Sequence, residues 1–206
     1  NEQESPPDAR VGAGSGRTTL PKGTTLGKRY QITQVVGLGG MSTVYAARDM
    51  RFANTYKAVA VKEMADTSKN AQDRVILLQT FEREANILAG LSHPAIPKVY
   101  DYFAQGGQVY LVLEVIKGND LETVLNANDQ FIPQELVLPN ALQLVAVLSD
   151  LHNHKRTPTV FRDLNHSTVN ITEKQTIVLT ECVCATHSMP TDHNTITHPS
   201  GSAHPA

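Results

Sequence analysis

Cysteine is almost missing from this sequence: its 206 residues include only Cys182 and Cys184, with one residue between them. Neighbours that close are poorly placed to bond each other, which excludes a disulfide framework and points to a reducing, cytoplasmic setting. An excess of either charge is missing too. There are 18 basic and 20 acidic side chains, a formal net charge of -2. That balance gives no electrostatic case for nucleic acid or an anionic membrane surface as partner. No apolar run is long enough to span a bilayer, and the first residues carry no signal-peptide pattern. No internal repeat is found, which excludes a solenoid.

What is present suffices for a core, with 40% hydrophobic residues. Residues 1–23, "NEQESPPDARVGAGSGRTTLPKG", hold almost no large apolar side chains. They are expected to be a disordered tail, because they cannot bury enough surface to offset the entropy of ordering. From Tyr30 the pattern changes. "YQITQVVG", "TVYAARD" and "YKAVAVKEM" are β-rich runs separated by Gly- and Asn-containing breaks, an antiparallel meander. Over residues 72–91, Ile76, Phe81, Ala85, Leu88 and Leu91 fall near one helical face. His93-Pro94 ends that helix. Two more strands flank a Gly106-Gly107 turn. Beyond Gly118 the pattern is helical, with Leu138, Leu142, Val145 and Leu148 sharing a face, and a short strand "TIVLT" follows. Five strands with one inserted helix, then mostly helices, is an α+β arrangement.

The stretch "VVGLGGMSTVYAARD" packs Gly37, Gly39 and Gly40 around Leu38 and then becomes β-branched and aromatic. In a dinucleotide-binding unit such a loop would open a helix. Here it opens strand chemistry, so a hairpin loop folding over phosphates fits better. "VAVK" ends in Lys62, able to reach phosphates as a point charge, and Glu84 in "FEREANIL" lies on the predicted helix where it can hold that lysine.

Together, "GLGGMSTVY", "VAVK", "FEREANIL", "LSHPAIPKVYDYF", "VYLVLEVIKGNDL" and "VFRDL" resemble a protein kinase of the bacterial Ser/Thr type. The resemblance implies a bilobal α+β fold, with a five-stranded small lobe and one helix over residues 24–116 and a partial helical large lobe over 117–206. It implies ATP as phosphoryl donor and Mg²⁺ as cofactor, with protein Ser/Thr hydroxyls as acceptors. By the same resemblance, Lys62, Glu84 and Asp163 are catalytic. Gly37, Leu38, Gly39 and Gly40 cover the phosphates. Val44 and Ala60 lie above the adenine, Leu113 backs the pocket, Glu114 and Ile116 offer backbone hydrogen bonds, and Asp120 faces the ribose. Glu181 is the metal ligand.

Three places depart from the family's pattern. In "FRDLNHST", Asn165 stands where these kinases carry Lys, and Thr168 where an asparagine binds the second magnesium. Asn170 falls where an apolar residue floors the adenine site. Glu181, Cys182 and Val183 occupy the D-F-G positions, and the longer Glu181 carboxylate is expected to misplace the phosphates. The sequence closes on "HPA", not A-P-E, without the helices that follow. Three readings are open: a kinase with weak or lost transfer, a nucleotide-binding pseudokinase with a regulatory role, or a truncated fragment. Cys182, Cys184, His187, His193 and His198 lack usual zinc spacing and are read as activation-loop remnants. Thr195 and Thr197 are candidate phosphosites.

Overall fold

The computed structural model describes residues 11–12, 18–39, 42–64, 71–128, 131–154, 158–161, 163–180 and 184–186. Two short strands come first, β1 (Val11–Gly12) and β2 (Thr18–Thr19), followed by β3 (Thr25–Leu26), β4 (Tyr30–Leu38), β5 (Ser42–Asp49) and β6 (Ala58–Met64). Helix α1 (Ala71–Gly90) leads to β7 (Val99–Gln105) and β8 (Gln108–Leu113). Beyond them lie β9 (Gly118–Asp120), α2 (Leu121–Ala127) and α3 (Gln134–His152). The last elements are β10 (Thr159–Phe161), β11 (Val169–Thr172), β12 (Ile177–Leu179) and β13 (Cys184–Thr186).

The five expected strands form one antiparallel sheet, joined at its edge by β3, in the order β3-β4-β5-β6-β8-β7. The Gly106-Gly107 turn closes β7 on β8 with both φ angles positive, 59° and 76°. A two-residue hairpin turn of that hand matches the twist of the strands and needs glycine. Side chains alternate across the sheet. On one face Tyr45, Val59, Val61, Tyr110 and Val112 build a buried cluster with Tyr30 and Ile32. On the other, Met64 and Leu111 pack with Phe81, Ala85 and Leu88 of α1 and with Val147, Leu151, Phe161, Ile171 and Leu179 of the large lobe. Adjacent residues of β6 therefore serve opposite faces: Lys62 looks toward α1, whereas Glu63 accepts hydrogen bonds from the Tyr45 and Tyr110 hydroxyls at 2.9 and 3.0 Å.

Packing begins ahead of residue 24, the boundary drawn from composition. β2 pairs with β1, Leu20 is buried in the outer cluster, and the Leu20 N–H donates to the Tyr45 hydroxyl. One leucine inside a polar stretch makes these contacts, which averaged composition does not register. Leu20→Ala is expected to cost roughly 2–3 kcal/mol, as buried leucines do, read as a lower urea midpoint at unchanged m-value.

Both helices differ in part from their expected faces. In α1, Phe81, Ala85 and Leu88 are buried as the spacing predicts, but Ile76 is exposed. In α3, Leu138, Leu142 and Val145 are exposed, while Val147 and Leu151 are buried and Leu148 packs beside them. That helix is apolar on most sides, so its spacing offers more than one stripe, and contact with β10 and β12 selects another. His93 links the lobes. Its Nδ1 accepts from the Ala95 N–H, which leaves Nε2 to donate to Asp150 of α3 at 3.3 Å. No helix among the described residues is long and apolar enough to cross a membrane.

Candidate nucleotide site

A cleft with a cavity of about 410 Å³ opens between the β4–β5 hairpin, β6, α1 and the β11–β12 hairpin. Its roof follows from the register. Gly37 pairs with Val44 and Leu38 with Thr43, so the glycine stretch is a strand-to-strand hairpin and does not open a helix. The Gly39 N–H donates to the Ser42 carbonyl at 2.9 Å and closes the described part of the loop. Gly37, Leu38 and Gly39 line the cleft. Gly40 lies outside the described residues.

Val44, Ala60 and Leu113 supply apolar wall, with Ala60 paired to Ala46 on one side and to Leu113 on the other. Glu114 and Ile116 form the connecting edge. The Glu114 N–H donates to the Lys98 carbonyl at 2.9 Å, so the Glu114 carbonyl is the backbone group left for a ligand. Asp120 also lines the cleft, and its Oδ1 accepts from the Thr123 N–H at 2.7 Å as the N-cap of α2.

Lys62 and Glu84 meet inside this cleft. Lys62 Nζ is 3.0 Å from Glu84 Oε1, and both side chains are about nine-tenths buried (9% and 11% exposed). A buried ammonium demands a counter-charge, and α1 provides it at the depth where Lys62 emerges from β6.

Asp163 does not line the cavity. It sits on an exposed loop organised by Asn165. Asn165 Nδ2 donates to Asp163 Oδ1 at 3.0 Å, while Asn165 Oδ1 accepts from the Ser167 N–H, the Ser167 hydroxyl and the Thr168 N–H. The Thr168 side chain is buried below. Its hydroxyl accepts from the Asn165 N–H and faces the Asp163 and Asn165 carbonyls at 3.0 and 3.1 Å. These contacts hold the backbone of the loop, and Thr168 is buried beneath it and does not line the cleft. Among the described residues no group of three or more His, Cys, Asp or Glu is placed to hold a metal. Glu181 lies outside the described residues, as do Arg162, Cys182, Val183 and the histidines from His187 onward. The described lining, an apolar wall with one buried cation beneath the glycine hairpin, fits ATP, while the expected Mg²⁺ ligand, Glu181, is not among the described residues.

Sequence reasoning missed other lining residues, among them Ala46, Leu88, Ser167 and Thr180. Two had a signal. Ala46 is two residues from Val44 in one strand, and Leu88 is four from Glu84 on one helix, so both share a face with a residue already singled out. Ser167 and Thr180 reach the cleft through loop geometry that no periodicity encodes.

Comparison with known proteins agrees with this geometry. A family model described as "Protein kinase domain" matches residues 30–198. A probable serine/threonine-protein kinase of Clostridium perfringens is 32% identical over 185 residues, 88% of this chain and 25% of that protein. Serine/threonine-protein kinase PrkC of Bacillus subtilis is 31% identical over 176 residues, 85% of this chain and 25% of its own. The chain thus spans about a quarter of the length of these relatives. A solved structure titled PpkA-294, apo form, shares the fold at a TM-score of 0.68 and 22% identity, over 79% of this chain and 61% of that one. With its glycine hairpin, its buried Lys62–Glu84 pair and a family match across most of its length, the chain belongs to the protein kinase domain family.

Proposed function

We propose that this chain binds ATP in the cleft and that its transfer of the γ-phosphoryl group to protein Ser/Thr hydroxyls is weak. The observation that carries the binding half is the buried Lys62–Glu84 pair at 3.0 Å, set within a cavity of about 410 Å³ beneath the glycine hairpin. The apolar walls of Val44, Ala60 and Leu113 accept the base, the Glu114 carbonyl accepts a hydrogen from its edge, and Asp120 faces the ribose. Lys62 neutralises phosphate charge, while Glu84 fixes where that charge sits.

In the transfer step, the bond between the γ-phosphorus and the β-bridging oxygen breaks, and a new bond forms to the substrate hydroxyl oxygen. ADP leaves with the electron pair of the broken bond, and the hydroxyl proton passes to Asp163. Asn165 fixes one carboxylate oxygen of Asp163 and leaves the other for the incoming hydroxyl. Mg²⁺ would neutralise charge between the phosphates, with Glu181 as its proposed ligand.

A second reading has its own support. Asn165 and Thr168 are engaged in holding the loop, so neither contributes the cation or the metal ligand that the family places there. That favours a nucleotide-binding module that regulates a partner. The substrate protein and the partner are likewise proposals at the level of class: a protein Ser/Thr hydroxyl, or a protein that reads the nucleotide state, in the cytoplasm.

Thermal unfolding of the 206-residue chain, with and without ATP and each with and without Mg²⁺, tests the proposal. At a hundredfold excess over Kd, binding is expected to add about 2.7 kcal/mol. A rise that requires Mg²⁺, with slow labelling of a Ser/Thr protein from γ-labelled ATP, is the expected result. A rise indifferent to Mg²⁺ and no labelling selects the regulatory module. No rise with any nucleotide overturns both.

A further inference from the structure

The outer face of the small-lobe sheet carries a buried polar chain that the cleft on the inner face does not use. Glu63 of β6 is 3% exposed, and its two carboxylate oxygens take separate hydroxyls, from Tyr45 of β5 at 2.9 Å and from Tyr110 of β8 at 3.0 Å. The Tyr45 oxygen accepts in turn from the Leu20 N–H at 3.2 Å. Thr19 and Leu20 are themselves buried, and Leu20 packs in the same cluster as both tyrosines. Yet β2 is not a strand of that sheet, since its described partner is β1. The chain then turns at Gly23, with φ at 93°, and the Gly23 N–H donates to the Ile32 carbonyl at 2.8 Å. Residues 18–20 are therefore a strap laid across the sheet, seated by side-chain packing and a hydroxyl bond instead of a shared strand ladder.

Side chains alternate along a strand, so each outer contact stands back to back with a residue of the cleft. Tyr45 follows Val44, and Glu63 follows Lys62. Val44 and Lys62 both line the cleft and pair with each other in register. On the far side of β6, Glu63 pairs with Tyr110 and Lys62 with Leu111. One carboxylate thus braces β5, β6 and β8 from outside, at the step of β6 that presents Lys62 to Glu84. Hydrogen bonds of this kind are strong while water is kept out. With the strap seated, Leu20 covers the group and its N–H completes the Tyr45 hydroxyl. With the strap lifted, water competes for the carboxylate and for the hydroxyls. β6 then loses its outer brace, and Lys62 is held less firmly against Glu84.

We infer that residues 18–24 are a regulatory strap, which when seated holds Lys62 where phosphates need it and when released lowers the nucleotide affinity of the cleft. The inference rests on the cleft being a nucleotide site and adds a control element on the opposite face of the sheet. Coupling between two sites is reciprocal, so bound nucleotide tightens the strap by the factor with which the strap tightens nucleotide. Anything that draws the strap off the sheet weakens nucleotide without entering the cleft.

The test uses the 206-residue chain in two measurements. Hydrogen exchange at the Leu20 amide, with and without saturating ATP, reads the strap in the unaltered protein. Calorimetric titration of ATP reads the cleft in the parent, in Leu20→Ala, in Glu63→Gln and in Leu26→Ala, each checked for a cooperative melt. Glu63→Gln keeps the shape and offers an acceptor on one side only. Leu26 is buried in the same cluster but lies outside the hydroxyl chain, so its variant controls for general loss of stability. The expected result is exchange slowed about fivefold or more by ATP, with ATP bound about fivefold or more weakly by Leu20→Ala and Glu63→Gln and unchanged in Leu26→Ala. If a variant fails to melt cooperatively, the exchange measurement decides alone. Binding by the parent with no change in Leu20 exchange, or with parent-like affinity in a folded Leu20→Ala, overturns the inference and leaves the nucleotide reading intact. Equal weakening in all three variants overturns it as well, since the effect is then one of stability. No ATP binding by the folded parent overturns the nucleotide reading and this inference together.

Discussion

Gly118→Ala is expected to destabilise the chain by about 3 kcal/mol, at the upper end of what overpacking costs. Gly118 begins β9 and pairs with Thr172 of β11. A Cβ at this position would run into the Ile171 carbonyl oxygen and come within 2.7 Å of Thr172 Cα and 2.8 Å of Ile171 C. All three neighbours are backbone atoms, so no side-chain rotation relieves the overlap, and the strands must part. The same pairing aligns Asp120 with Asn170 and so joins the connecting edge of the cleft to its floor. Nucleotide-induced stabilisation should fall with the midpoint of urea unfolding. Gly90 supplies the control. It ends α1, and a Cβ there meets nothing within 4 Å. Gly90→Ala is expected to leave stability unchanged or raise it by up to about 1 kcal/mol. Equal behaviour of the two variants would refute the close approach of β9 and β11.

Gly118 also shows which parts of this protein can be read before folding. The sequence marks it only as a break ahead of a helical pattern. Its reason is a contact with residues more than fifty positions away. The glycine hairpin was more legible, because "STVYAARD" cannot sit comfortably as a helix and its β-branched and aromatic residues demand a strand. The Lys62–Glu84 pair was legible as well, since a lysine ending an apolar strand and a glutamate on an apolar helical face both require a partner. The α3 face was not. Leu138, Leu142 and Val145 repeat as regularly as Leu144, Val147 and Leu151, and only the position of β10 and β12 decides between them. The loop from Asp163 to Thr168 was half legible: motif spacing located it, but the hydrogen bonds that commit Asn165 and Thr168 to holding it depend on backbone conformation.

Lys62→Met should abolish nucleotide-dependent stabilisation and lower any phosphoryl transfer by at least about 100-fold, since it removes both charge neutralisation and positioning. Its effect on the unliganded fold separates two roles of the same pair. With the ammonium gone, Glu84 is left in the cleft without the charge that it faces at 3.0 Å. Breaking a buried pair from one side costs about 3–5 kcal/mol, whereas replacing both members with apolar groups of similar size is often neutral. Glu84→Leu is therefore expected to destabilise the chain more than Lys62→Met does, because a stranded lysine has a long stem that must either stay buried with its charge or break out of the sheet. The double variant should recover much of the loss while remaining unable to bind ATP. Urea unfolding of the parent, both single variants and the double variant measures this as a coupling free energy. ATP titration of the same four proteins reads the function. A double variant no more stable than the worse single one would mean that Glu84 is kept by its other contacts and not by Lys62. Recovery of stability without recovery of binding would mean that the pair is retained for the phosphates it positions, at no benefit to the fold.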